Sequence, residues 1–367
     1  MRYRCLPFIW LLLLQACTDP VAPVFKPIDS AYLVEGNIVD QPGESRVNVF
    51  RTRVVNEVFT LLPVREALVS SVTDGGQATE WSYRPEAEAY EPPADFRAEP
   101  GRSYSVRVLV EDREIVSVAE PTPRPVPIER VGFRFDQRAE YSLGFERSIP
   151  AFDLLIDFRD PPGERNFYRT SLRQWQTLAA CLFCPHWSTP IGDRTQCSPA
   201  NDFHFVAAYY PCATACWSWD RVPDVRVFDD AQSDGALRTN VVAGRSRYLG
   251  AGGSRLFEVD LFTLSAGNYD YRAAFDQIER AGSGLNAPIP ATLVGNLRYT
   301  GANAREAVLG YVGTVSVTRK RLFVARDDFV GTPLDLRDPL IRNLNQSVDS
   351  PCVGPRRTDT PPAGWGE

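Results

Sequence analysis

Strict alternation of apolar and polar residues constrains this chain more than any other feature. In SYSVRVLVED, residues 103–112, Tyr104, Val106, Val108 and Val110 fall on one side, with Ser105 and Arg107 on the other. A strand sends successive side chains to opposite faces, so a run with period two buries one face of a sheet and cannot serve as an amphipathic helix of period 3.6. YLVEGNIV and RVNVF read the same way earlier in the chain, and AFDLLIDF places Phe152, Leu154, Ile156 and Phe158 on one face. FYRTSLRQWQTL, SRLFEVDLFTL and AVLGYVGTVSVTRKRLFV supply later strands. Gln41-Pro42-Gly43, Asp74-Gly75-Gly76, Pro100-Gly101 and the DPPGERN segment from Asp160 separate strands with turn chemistry. One stretch breaks the period: in NYDYRAAFDQIERAG, Tyr271, Ala274, Phe275 and Ile278 follow a helical stripe, with Gly282 just past its end.

The reading is therefore mainly all-β: two β-sandwich-like domains, the second with one short helix and a Cys-rich loop insertion. At 367 residues the chain is long enough for two domains. Residues 30–120 form the first, an immunoglobulin-like or carboxypeptidase-regulatory-like sandwich. The four prolines between Pro121 and Pro127 mark a linker over 121–128. Residues 129–325 form the second domain, with the insertion at 179–220, and 326–367 read as a loop-like, polar, Pro-rich tail.

The start of the chain sets the compartment. Arg2 and Arg4 precede an apolar run from Cys5 to Leu14, too short to span a bilayer but suited to the core of a secretory signal peptide over residues 1–16. Leu14-Gln15-Ala16-Cys17 resembles the lipobox of bacterial lipoproteins, which makes Cys17 the expected lipid attachment site. Stable anchoring takes at least two lipid chains, each buried CH₂ contributing about 0.8 kcal/mol. Pro20, Pro23 and Pro27 then disfavour helix and sheet alike, so residues 17–29 read as a lipidated Cys and an extended tether.

Charge and motifs narrow the chemistry. The formal net charge is −6, which leaves no basic footprint for nucleic acid. Lys26 and Lys320 are the only lysines; arginine supplies the remaining positive charge. No G-x-S-x-G elbow, H-E-x-x-H or P-loop occurs. His186 and His204 are the only histidines, so His-based acid–base chemistry has few candidates. Asp229-Asp230 and Asp327-Asp328 read as solvated turns. No catalytic residue, metal or cofactor is assigned.

Eight cysteines remain to be explained. Cys5 goes with the signal peptide and Cys17 to lipid, which leaves Cys181, Cys184, Cys197, Cys212, Cys216 and Cys352. Outside the cytoplasm an even set is expected to form disulfides, with fifteen connectivities open. Zinc is the competing reading, since C-x₂-C and C-x₃-C lie near His186 and His204. Five of the six sit in one segment and five cannot pair among themselves, so full oxidation requires Cys352 to reach back to that segment. The same loop carries Trp187, Tyr209, Tyr210, Trp217 and Trp219, which are either a binding surface or a local core over the bridges.

The order of several motifs carries a resemblance. YLVEGNIVDQPGESRVNVFRT, FRAEPGRSYSVRV, DFRDPPGERNFYR, GNL at 295–297 and LGYVGTVSVTRKR recur as in the uncharacterised lipoprotein family DUF4249 of Bacteroidota. That resemblance implies an outer-membrane lipoprotein, anchored by lipid on the periplasmic or cell-surface face. Genes of the family often lie beside TonB-dependent transporters, so it further implies an accessory or binding partner of such a β-barrel transporter in nutrient uptake, with a small ligand. The competing expectations are a secreted-side hydrolase of glycan or peptide and a surface adhesin. One departure concerns the tail: family members often carry a paired Cys motif there, and here Cys352 stands alone.

Overall fold

A computed structural model describes residues 30–55, 58–144, 146–184, 190–191, 193–197, 208–250, 252–281, 293–301, 308–334 and 349–367. Nine strands come first: β1 Tyr32–Val39, β2 Arg46–Val55, β3 Val58–Pro63, β4 Leu68–Thr73, β5 Ala78–Arg84, β6 Ala89–Glu91, β7 Ser103–Val110, β8 Arg113–Ser117 and β9 Glu120–Pro121. Then follow β10 Ile128–Ser142, β11 Arg147–Arg159, β12 Phe167–Thr177, β13 Ala180–Cys184, β14 Pro190–Ile191, β15 Gln196–Cys197, β16 Ala208–Pro211, β17 Trp217–Asp229, β18 Leu237–Arg247 and β19 Arg255–Leu264. The helix α1 Ala266–Ala281 precedes β20 Leu297–Tyr299, β21 Val312–Val324 and β22 Arg357–Thr358. The all-β reading with one helix and a disulfide-linked insertion stands.

Alternation became burial where the sequence places it. Tyr104, Val106, Val108 and Val110 are all buried, and so are Phe152, Leu154, Ile156 and Phe158. The first set joins a core with Tyr32, Val34, Val47, Trp81 and Ile115. These residues come from both ends of one hydrogen-bonded series of strands, so that half of the sheet must curl over on itself. The second set lies on β11, in the three-stranded sheet β10-β11-β18. It packs on Tyr168, Leu172, Phe257, Val259 and Leu261 of the facing sheet. At about 25 cal/mol per Å² of apolar surface removed from water, these two interiors carry the main favourable energy of the fold.

The division of the chain at its prolines is not a division of the sheet. The long sheet runs β20-β8-β7-β4-β5-β6-β2-β1-β21-β19-β12-β17-β22. Strands β1 and β21 pair in parallel, Gly36 opposite Val312 and Val39 opposite Val315. Late in sequence, β20 joins the early strands at β8, with Leu297 opposite Ser117. The segment 121–128 is held rather than free. Thr314 Oγ1 donates to the Pro121 carbonyl at 2.8 Å, Ser316 Oγ to Pro123 at 2.5 Å and Thr318 Oγ1 to Val126 at 2.6 Å. Prolines bring no N–H to a ladder but keep their carbonyls, and alternate hydroxyls of β21 donate to the carbonyls of this segment. Val126 and Ile128 then enter the second core.

Several motifs of the resemblance sit where backbones meet. A Cβ on Gly36 would lie 2.2 Å from the Arg46 carbonyl, and one on Gly310 would lie 2.1 Å from that of Val34. Asn296, within GNL, uses its side chain as a peptide group: Nδ2 donates to the Val312 carbonyl at 2.8 Å and Oδ1 accepts from the Val312 amide at 3.0 Å. Ser265 starts α1, its Oγ accepting from the Asn268 amide at 3.2 Å as an N-cap does. Of the expected helical stripe, Tyr271 is buried, Ala274 and Ile278 are half-buried and Phe275 is exposed. Gly282 lies outside the described residues. No described helix is long and apolar enough to cross a membrane.

Candidate functional site

All six cysteines among the described residues are paired: Cys181–Cys212, Cys184–Cys197 and Cys216–Cys352, with Cα separations of 4.8, 5.6 and 5.5 Å. Each falls inside the roughly 7 Å limit for a bridge. The second pair is nested inside the first, and the third ties the C-terminal segment to the start of β17. Two rungs of β17–β22 pairing, Trp217 with Thr358 and Ser218 with Arg357, continue that attachment. Trp365 packs edge-on against Trp217 at 6.0 Å and Phe323 at 5.3 Å, so this part of the tail is docked.

The aromatic residues of the insertion divide. Tyr210 is buried beside Cys184, with Leu182 and Cys197 against it, and Trp217 is buried under Trp365. Both are interior groups and so belong to the second of the two expectations, a local core over the bridges; the small stapled unit needs apolar cover more than it can spare contact area. Tyr209 is half-buried against Phe183 at 4.9 Å. Trp219 is half-buried, with Arg173 over its ring at 4.5 Å and Arg356 at 5.3 Å. Trp187, His186 and His204 lie outside the described residues, as does Cys17.

Trp219 leads to a site that composition did not reveal. Strand register lines up basic side chains on one face of the sheet. Arg173 of β12 lies opposite Arg221 of β17 and opposite Glu258 of β19, which in turn lies opposite Arg321 of β21. One rung along, Ser171, Asp260 and Arg319 are in line; the next joins Arg169 to Phe262. Buried Glu258 takes an ion pair from Arg173 at 3.0 Å and one from Arg321 at 2.7 Å. Arg319 holds Asp260 at 2.6 Å and Glu44 at 2.7 Å.

These residues wall a pocket of about 460 Å³, closed by Glu35, Asn37 and Asn48 from β1 and β2 and by Arg272 from α1. Six arginines line it against three carboxylates, in a chain of formal net charge −6, and Glu258, outside the lining, answers Arg173. The carboxylates are already engaged, Glu44 and Asp260 by Arg319 and Glu35 by the Tyr271 hydroxyl at 3.3 Å. Arg46 pairs with Glu91 at 2.7 Å. Arg169, Arg221 and Arg272 form no ion pair with a carboxylate among the described residues, although Asp260 attracts Arg169 and Arg221 from farther off. Burial lowers the Arg169 guanidinium to about 10, with Arg272 and Arg221 adding repulsion. Partial burial, then Arg173 and Arg46, lowers Arg221 as well. Burial pushes the Asp260 carboxyl up, against the pull of Arg319. The signal for the site was present in FYRTSLRQWQTL, where Arg169 and Arg173 share a strand face; the cross-strand partners were not.

Two other groups of acids have structural work. Asp160, Asp230 and Asp234 bring carboxylate oxygens within 4.8 Å of one another. Their donors are local: Tyr168 OH and the Gly235 amide for Asp160, the Asn166 amide for Asp230 and the Gly163 amide for Asp234. Asp230 is therefore a buried turn clasp, not the solvated residue that its sequence context suggested. Asp327 and Asp328 are exposed. Glu120, beside a second cavity of about 480 Å³, is buried and accepts from Ser265 Oγ at 2.6 Å and from Tyr311 OH. Burial raises its carboxyl above the ordinary value.

The comparisons bear on all of this through one family. The model of the domain of unknown function DUF4249 matches residues 18–321, which takes in every residue lining the arginine pocket and leaves Cys352 beyond the match. Comparison with curated proteins finds no match.

Proposed function

We propose that this chain, which belongs to the DUF4249 family, is a non-enzymatic outer-membrane lipoprotein that works as an accessory binding partner of a TonB-dependent transporter in nutrient uptake. The observation that carries the binding role is the pocket of about 460 Å³ with three arginines left without carboxylates. A site of this volume suits a small molecule. Arginine stays protonated across the physiological range, so it recognises and orients but does not shuttle protons as a general acid or base must. The carboxylates that could do so are held by Arg319 and Tyr271. The lipid anchor rests on the lipobox-like Leu14-Gln15-Ala16-Cys17, and the transporter on what the resemblance implies.

Fractionation and co-purification test this reading. Cys17→Ser is expected to move the protein from the membrane to the soluble fraction, and the wild-type protein, drawn from solubilised outer membranes, to bring a β-barrel transporter with it in stoichiometric amount. Equal membrane retention of the variant removes the anchor from the reading. Recovery without a transporter, together with turnover on a glycan or peptide panel, replaces the binding role with a hydrolase.

A further inference from the structure

We infer that the pocket takes a small organic molecule bearing at least two negative charges on oxygen, of the class of phosphate esters and polycarboxylates, with Arg169, Arg221 and Arg272 as the recognising groups. The inference rests on the reading of the protein as a ligand binder. It starts from cations for which folding has no use. Arg173 and Arg221 face each other across the β12–β17 ladder, an arrangement that destabilises a sheet unless something negative lies between or beside them. Of that pair only Arg173 reaches Glu258, which Arg319 and Arg321 also share, and Arg221 is left without it. Arg169 is partly buried, and its described contact is with the Phe262 ring at 5.3 Å. A charge taken from water normally gains a partner of opposite sign. Among the described residues no carboxylate forms that ion pair with Arg169, and the pocket is where a partner would sit.

The class of ligand follows from donor chemistry and charge. A guanidinium offers a planar fork of N–H donors that matches two oxygens of a carboxylate or phosphate. Three guanidinium groups, of Arg169, Arg221 and Arg272, form no ion pair with a described carboxylate, so a monoanion would engage only part of the set, whereas a di- or trianion can engage more of it. Val39, Leu172, Phe262 and Val315 line the same space, so part of the ligand is carbon rather than a bare inorganic ion. Asn37, Asn48 and Ser171 leave room for hydroxyl groups on that body.

Calorimetric titration of the full chain at low ionic strength, with glucose 6-phosphate, citrate, inorganic phosphate, acetate and glucose as probes, tests the inference. Glucose 6-phosphate or citrate is expected to bind at least about 10-fold more tightly than acetate, the stronger of the two telling a phosphate source from a carboxylate one, and to weaken as salt rises. Arg169→Gln and Arg272→Gln should each weaken that binding by about 10-fold or more, the loss expected for a charge-assisted hydrogen bond, while Arg138→Gln, outside the pocket, leaves it unchanged. Arg272 lies on a helix surface, so its variant reads the site even if Arg169→Gln fails to fold. Acetate binding as tightly as the multivalent anions, or Arg272→Gln binding like wild type, overturns the inference. Glucose bound with every anion silent overturns the ligand class yet leaves a binding protein. Loss of transporter capture with the anion titration intact overturns the accessory role and supports the pocket.

Discussion

Replacing Cys216 and Cys352 together by serine opens the bridge that ties the C-terminal segment to β17, and leaves no unpaired thiol behind. The bridge closes a loop of sequence separation 136. In the chain-entropy model a loop of that length is worth about 5 kcal/mol at 25 °C. The other two bridges lie outside this loop, so they do not shorten it. What remains to hold the segment is hydrogen bonds and ring contacts: two rungs of β17–β22, Ala213 N donating to Ser350 O and Ser350 N to Pro211 O, both at 2.8 Å, Trp219 N donating to Arg356 O at 3.0 Å, Ser350 Oγ to the Arg194 carbonyl at 2.8 Å, Arg357 to the Cys181 carbonyl at 2.6 Å, Arg321 to the Ala363 carbonyl at 3.1 Å, and the Trp365 ring against Trp217 and Phe323. An unfolding entropy of roughly 2.1 cal/mol/K per residue gives about 0.8 kcal/mol/K for a chain of this size, so the midpoint should fall by about 6 °C. Release of the segment also uncovers Trp217, which is only 8% exposed in the folded protein. Scanning calorimetry reads the first effect and tryptophan emission, shifted to the red below the main transition, reads the second. A midpoint within 1 °C of wild type with unshifted emission would refute the reasoning.

Two further predictions concern buried groups. Below the ordinary value of 4.5, Glu120 is protonated in the folded and unfolded chains alike and costs nothing. As pH rises from there, the unfolded chain loses the proton first, because burial raises the folded value, and the native state weakens until the folded carboxyl ionises too. Wild type should therefore lose stability relative to Glu120→Gln between pH 4 and the folded value, by up to about 1.4 kcal/mol per pH unit in that window; a difference that stays flat in denaturant titrations across it refutes this. Gly310→Ala adds a Cβ 2.1 Å from the Val34 carbonyl at a φ of +101°, so it should cost at least about 2 kcal/mol by the same titrations.

What the sequence determined by itself was whatever depends on neighbours along the chain. Period-two runs set which faces of β7 and β11 are buried, because a strand allows no other partition of its side chains. The helical stripe located α1, though packing left Phe275 outside. Parity of the cysteines required Cys352 to join the insertion, a counting argument that needs no coordinates; which partner it takes, Cys216, came only from the fold. The rest is long-range. Prolines at 121–127 read as a break, because sequence shows their missing donors and hides the hydroxyls of Thr314, Ser316 and Thr318 that donate to the segment's carbonyls. The aromatic residues near the bridges read alike until packing buried Tyr210 and Trp217 and left Trp219 between two arginines. The arginine pocket was the least legible feature of all. Its cations stand on β2, β12, β17, β21 and α1, more than 250 residues apart at the extremes, and only strand register and the parallel joining of β1 to β21 bring their charges into one space.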